Sequence, residues 1–135
     1  MRLLFLFLLL PLIGSSQQNT LTVKVVGVSS DTGNIMVAVY NKSDGFLKER
    51  HALMGVRAKA TRGITELHIN DLPEGQYALA IYHDENGNEE LDTNWLGIPK
   101  EPIGFSNSKM KTFGPPGFED CAFLFKTDKQ VQISL

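Results

Sequence analysis

The sequence predicts an all-β fold: an antiparallel two-sheet sandwich of about seven short strands, with one long irregular loop. Three observations predict it. Apolar residues recur with period two from Leu21 onward, outside one long aperiodic stretch, turn residues interrupt them at short intervals, and no amphipathic stretch is long enough for a major helix.

The chain opens with basic Arg2, an apolar run from Leu3 to Ile13, and small Gly14, Ser15 and Ser16 before polar Gln17, which reads as a secretory signal peptide. The run falls short of the roughly 20 residues a membrane helix needs. No later stretch is apolar enough to span a bilayer, and no cysteine follows the leader to carry a lipid anchor. Cleavage near Ser16 leaves residues 17–135, the size of one ordinary domain.

The strands follow in order. Leu21, Val23 and Val25 alternate with Thr22 and Lys24, and after the turn residues Ser30 to Gly33 the run Ile35 to Tyr40 is β-branched and apolar; these two are expected to pair as a hairpin. Val56, Ala58 and Ala60, then Gly63, then Thr65, Leu67 and Ile69, predict a second hairpin. Tyr77 to Tyr82 is apolar on both faces, which predicts a central strand covered on both sides. Cys121 to Phe125 and Val131 to Leu135 predict a closing hairpin, and short helical turns are expected around Lys48 to Leu53 and Phe118 to Cys121. Asp84 to Phe118 has no period, holds most of the prolines, and forms the long loop.

Leu72-Pro73-Glu74-Gly75-Gln76-Tyr77 makes a turn from which a tyrosine enters a buried strand. In immunoglobulin-like sandwiches such a tyrosine bonds its hydroxyl back to nearby backbone.

The acidic run Asp84 to Asp92 is the strongest chemical signal. Calcium takes six to eight oxygens, and a tight loop supplies them from alternating side chains plus a main-chain carbonyl. Asp84, Asn86 and Asn88 stand at such positions, Glu90 offers its carbonyl, and Asp92 closes the site directly or through water. Position six is Glu89 where an EF-hand has glycine, and position twelve is Trp95 where it has a bidentate glutamate. With two neutral amides among the first three ligands, the site would bind weakly, at roughly 10⁻⁴ to 10⁻³ M. The alternative is a metal-free turn in which the same side chains satisfy backbone groups.

Trp95, Lys100, Glu101, Phe105 and Phe113 form the candidate surface for a ligand or partner, on a Pro- and Gly-rich stretch. The competing reading pins that loop to the sandwich by its own aromatics, with Lys100 and Glu101 as its solvated rim. A net charge of −2, or −3 once Arg2 leaves with the signal, and the lack of a basic block exclude nucleic acid as a partner. Cys121, the single cysteine, precludes an intrachain disulfide and is expected to be buried. No G-x-S-x-G, H-E-x-x-H, C-x-x-C or phosphate-binding glycine loop occurs, and His83 and Asp84 are adjacent on an extended strand and so point apart.

The segments His83 to Asn88, Leu91 to Asn94, Gly97 to Glu101, Gly104 to Asn107, Gly114 to Pro116 and Phe118 to Asp120 together resemble the exported bacterial family called domain of unknown function 2141, over Leu21 to Leu135. The resemblance implies a secreted or periplasmic β-sandwich and no particular activity. The chain departs from the family's pattern at Glu89, where a small residue is common, and at Cys121, where alanine is common. The Leu-Pro-x-Gly-x-Tyr corner is also similar to transthyretin-like and carboxypeptidase-regulatory-like sandwiches, which implies an accessory role.

The function expected is an exported, non-enzymatic accessory or binding module for a protein, small-molecule or glycan ligand, with a weak calcium site in the acidic loop and no other cofactor. A metal-dependent hydrolase using the same loop with His83 is the first alternative. A purely structural domain without metal is the second.

Overall fold

The computed structural model describes Gly14 and residues 18–135, so the expected leader lies, Gly14 apart, outside the described residues. The described residues form eight strands: β1 (Leu21–Val28), β2 (Asn34–Tyr40), β3 (Met54–Lys59), β4 (Gly63–Ile69), β5 (Gly75–Asp84), β6 (Ile103–Phe105), β7 (Phe123–Phe125) and β8 (Lys129–Ser134). A 3-10 turn at Glu49–His51 and a short helix α1 at Phe118–Cys121 stand where helical turns are expected. The all-β sandwich is therefore the observed class.

One sheet is ordered β4-β1-β8 and the other β3-β2-β5-β6, with β7 also pairing with β5. The inward faces supply one core: Leu21, Val23 and Val25 of β1, Ile35, Val37 and Val39 of β2, Leu79 and Ile81 of β5, and Ile133 of β8. Each such aliphatic side chain contributes roughly 1.5 to 3 kcal/mol by leaving water. The outer face of β5 is covered as well. Ala78 packs there with Tyr40, Phe105, Phe118 and Cys121, which is the doubly covered position predicted for this strand. The tyrosine corner also forms, the Tyr77 hydroxyl donating to the Pro73 carbonyl at 2.6 Å.

The three predicted hairpins do not form. β1 pairs with β4 and β8 and not with β2; β3 pairs with β2 and not with β4; β7 pairs with β5 and not with β8. Each short connection instead carries the chain from one sheet to the other, so consecutive strands present their apolar faces across the core instead of side by side. The chain is redirected by local devices: a bulge at Gly27 between Val26 and Val28, with φ of 77°, and a Thr65 hydroxyl that donates to the Thr61 carbonyl at 3.0 Å. The β1–β8 ladder is parallel, the one departure from an antiparallel sandwich among the described pairings.

Strand β5 places the acidic loop. Its alternate residues face opposite ways, so Tyr77, Leu79, Ile81 and His83 face the core while Ala78, Ala80, Tyr82 and Asp84 face outward. The loop that follows returns through β6 to the same strand, pairing Ile103 with Tyr82 and Phe105 with Ala80.

Candidate functional site

Asp84 ends β5 fully buried, and its Oδ2 accepts the main-chain N–H of Glu89 at 2.9 Å. That bond bends the loop back over the strand end. Glu89 adopts a left-handed φ of 63°, the conformation an EF-hand assigns to glycine at position six, so the wrap forms without glycine there. Asn86 Oδ1 accepts from Asn88 N at 3.2 Å and Asn88 Oδ1 from Glu90 N at 3.0 Å, two Asx-type turns in succession. The amide groups of Asn86 and Asn88 donate to the two carboxylate oxygens of Asp92 at 2.6 and 2.8 Å. These donors hold the Asp92 carboxyl below the ordinary carboxylate range, the Asn88 bond first.

Hydrogen bonds gather Asn86, Asn88, Glu90 and Asp92 into one cluster, while Asp84 is tied to the loop through the Glu89 N–H. Among the described residues, no three His, Cys, Asp or Glu side chains converge closely enough to hold a metal ion as they stand. The donors predicted from this loop are largely amide and carbonyl oxygens, which lie outside that set.

Sequence reasoning missed the part played by Glu101. The segment after Asp92 forms a small hairpin: Thr93 bridges Pro99, Asn94 N donates to Ile98 O at 2.9 Å, and Lys100 N donates to Asp92 O at 2.8 Å. Glu101 is thereby returned beside Asp92, whose N–H donates to its Oε2 at 3.2 Å. It is not a solvated rim residue, because its Oε1 is buried. Burial, and then the charges of Asp92 and Asp84, push the Glu101 carboxyl above its ordinary range. Glu85, Asn86, Asp92, Thr93, Lys100 and Glu101 line an open pocket of about 460 Å³. Tyr82, on the same outer face, is pushed up to about 12 by burial and by the carboxylates of Asp84, Glu49, Glu101 and Glu89. The signal that could have exposed Glu101 was the Asn94-x-x-Gly97 turn, which shortens the path from Asp92 back to position 101.

The partner surface is divided. Trp95 is 91% exposed and Phe113 fully exposed, and the hairpin tip adds exposed Leu96 and Ile98. Lys100 is exposed at the foot of the hairpin. Phe105, predicted on that surface, is buried at 7% exposure, since β6 turns it into the cluster behind β5. The bond from Ser106 N to Leu79 O, 3.0 Å, fixes it there.

His83 lies apart from the acidic loop's outward side. It is fully buried on the core side of β5, and its Nε2 donates to the Thr32 carbonyl at 2.7 Å, while Nδ1 stands 3.6 Å from Glu85 Oε1. Cys121 is buried, as expected, and burial pushes its thiol up to about 11.

Fold and site define a small two-sheet β-protein that carries an acidic wrapped loop at the end of its most buried strand. The chain belongs to the bacterial family described as "Uncharacterized protein conserved in bacteria (DUF2141)", whose family model matches residues 23–134. No curated protein and no solved structure matches it significantly. No helix among the described residues is long and apolar enough to cross a membrane.

Proposed function

We propose that this chain is an exported, non-enzymatic accessory or binding module whose acidic loop, Asp84 to Asp92, takes a weakly bound calcium ion. The sandwich acts as a rigid base, and the hairpin tip with Trp95, Leu96 and Ile98 is the surface offered to a protein, small-molecule or glycan partner. One observation carries the reading: Glu89 is held left-handed with its N–H on Asp84, the wrap a calcium loop needs, at a position where a non-glycine residue bears a conformational cost. Export supports a weak site, since calcium outside the cytoplasm is abundant enough to fill one.

The hydrolase alternative draws less support. It needs His83 at the loop, and His83 faces the core with Nε2 committed to Thr32.

The test is thermal unfolding of the leaderless protein in millimolar calcium and in chelator. A ligand at 100 times its dissociation constant adds about 2.7 kcal/mol, so the melting temperature should rise by several degrees in calcium. An unchanged melting temperature, with Asp84→Asn equally indifferent to calcium, would remove the metal from this reading.

A further inference from the structure

We propose that Asn86 is a self-modifying site: the main-chain nitrogen of Gly87 attacks the Asn86 carboxamide, ammonia leaves, and the resulting acid releases the loop's clasp on Asp92. The reaction needs water and no metal, so it is independent of calcium binding by the loop.

Such an attack requires a free nucleophile, room for a ring to close, and a donor for the carbonyl oxygen that gathers charge. Asn86 has all of these. It is the one asparagine in the chain followed by glycine, and both residues are exposed to water. The Gly87 N–H makes no hydrogen bond among the described residues. A Cβ on Gly87 would meet nothing within 4 Å, so no neighbour obstructs closure.

The carboxamide is already placed. Asn86 Oδ1 accepts from Asn88 N at 3.2 Å, and closing that Asx turn folds the side chain back along the peptide it shares with Gly87. Oδ1 is also the atom that becomes negative when Cγ is attacked, so the Asn88 N–H stands where an oxyanion donor belongs. Holding carbonyl and nucleophile in one turn removes most of the conformational search before attack. The leaving nitrogen, Nδ2, donates to Asp92 Oδ2 at 2.6 Å, and that negative charge favours the protonated amine that must depart.

Two neighbouring asparagines make the same turn and each lacks one requirement. Asn88 Oδ1 accepts from Glu90 N at 3.0 Å, but the nitrogen that would attack belongs to Glu89, whose N–H is committed to Asp84 Oδ2 at 2.9 Å. Asn94 Oδ1 accepts from Leu96 N at 2.9 Å, but its following residue is Trp95, whose side chain crowds the attacking nitrogen.

The chemistry balances. Gly87 N gives its proton to water and bonds to Asn86 Cγ; the Cγ–Nδ2 bond breaks and Nδ2 takes up a proton and leaves as ammonia, giving a cyclic imide. Water then opens one imide C–N bond to leave aspartate, or isoaspartate with the main chain rerouted through the side chain. One water enters, one ammonia leaves, and nothing is oxidised. The new carboxylate stands where an amide had donated to Asp92, so two like charges face each other and the clasp opens.

The experiment incubates the leaderless chain at mildly alkaline pH in chelator, folded and in urea, and follows the amide-to-acid mass gain by peptide mapping. The gain is expected at Asn86 and not at Asn88 or Asn94, at a rate in the folded chain no slower than in urea, with isoaspartate detected by enzymatic methylation. Folded Gly87→Ala should react roughly tenfold more slowly. Slower reaction folded than unfolded, an unchanged rate in Gly87→Ala, or equal gain at Asn88 or Asn94 would each overturn the site. The folded-against-urea comparison uses wild type alone, so it decides the matter even if the alanine variant folds poorly. Asn86→Asp, made directly, should melt several degrees below wild type in chelator; melting at or above wild type would overturn the release of the clasp.

Discussion

The main-chain N–H of Glu89 donates to Oδ2 of Asp84 at 2.9 Å, joining a left-handed residue in the loop to a fully buried carboxylate at the end of β5. The bond turns six residues of polar chain into a closed loop seated on the sandwich. Its conformational cost is local and measurable. Glu89→Gly and Glu89→Ala both lose the Arg57 ion pair, but only alanine keeps the left-handed penalty of about 1 to 2 kcal/mol. Glycine in turn loosens the unfolded chain by roughly 0.4 to 1 kcal/mol. Glu89→Gly should therefore exceed Glu89→Ala in stability by up to about 1.5 kcal/mol in urea titrations. Arg57→Ala should cost under about 0.5 kcal/mol, because both partners of that pair are 62% exposed.

Gly33 lies beneath the same strand end. A Cβ there would overlap the Asp84 carbonyl and the Glu85 Cα, and φ is 69°. Gly63 has φ of 86° but open space around its missing Cβ. Gly63→Ala should cost about 1 kcal/mol from conformation alone, whereas Gly33→Ala should cost roughly twice that or more, because backbone must also move. Equal losses in the two variants would contradict the close approach.

Ser106 ties three segments together without exposure to solvent. Its Oγ accepts from Leu79 N at 2.9 Å and donates to Cys121 O at 2.7 Å. Ser106→Ala leaves a buried N–H and a buried carbonyl short of partners, so a loss of roughly 2 to 3 kcal/mol is expected, with the denaturant slope unchanged.

Cys121 should resist thiol reagents in the native protein. Its thiol is buried and pushed up to about 11, so thiolate is scarce at neutral pH. Labelling by a maleimide should be slow in buffer and rapid in denaturant. Rapid native labelling would mean that α1 opens readily.

Acid should loosen the α1 corner. Lys111 and the Gly117 N–H hold the Asp120 carboxyl below its ordinary range. A carboxyl depressed in the folded state adds stability above its unfolded value, about 3.9, and that contribution is lost as pH falls through the folded value. Asp120→Asn should flatten this part of the acid limb in a stability-against-pH profile and leave the limb above neutrality alone.

Much was legible in the sequence because it is local. Side-chain alternation depends only on neighbouring residues, so it located β1 to β5, the two-faced burial of β5 and the Tyr77 corner. The Asp84 to Asp92 spacing likewise marked a wrapped acidic loop, because Asx turns are made within a few residues. Strand partners are a different matter. Leu21 and Ile35 are each compatible with a hairpin, yet β1 and β2 lie in different sheets, since burying both apolar faces against each other removes more surface from water than pairing the strands edge to edge. The same non-local choice buried Phe105, sent His83 to the core side, and folded Glu101 back against Asp92. The sequence by itself determined which residues alternate and where the chain turns; only the tertiary structure decided which strands meet and that Glu101 returns beside Asp92, because those depend on the total area buried and not on any one segment's pattern.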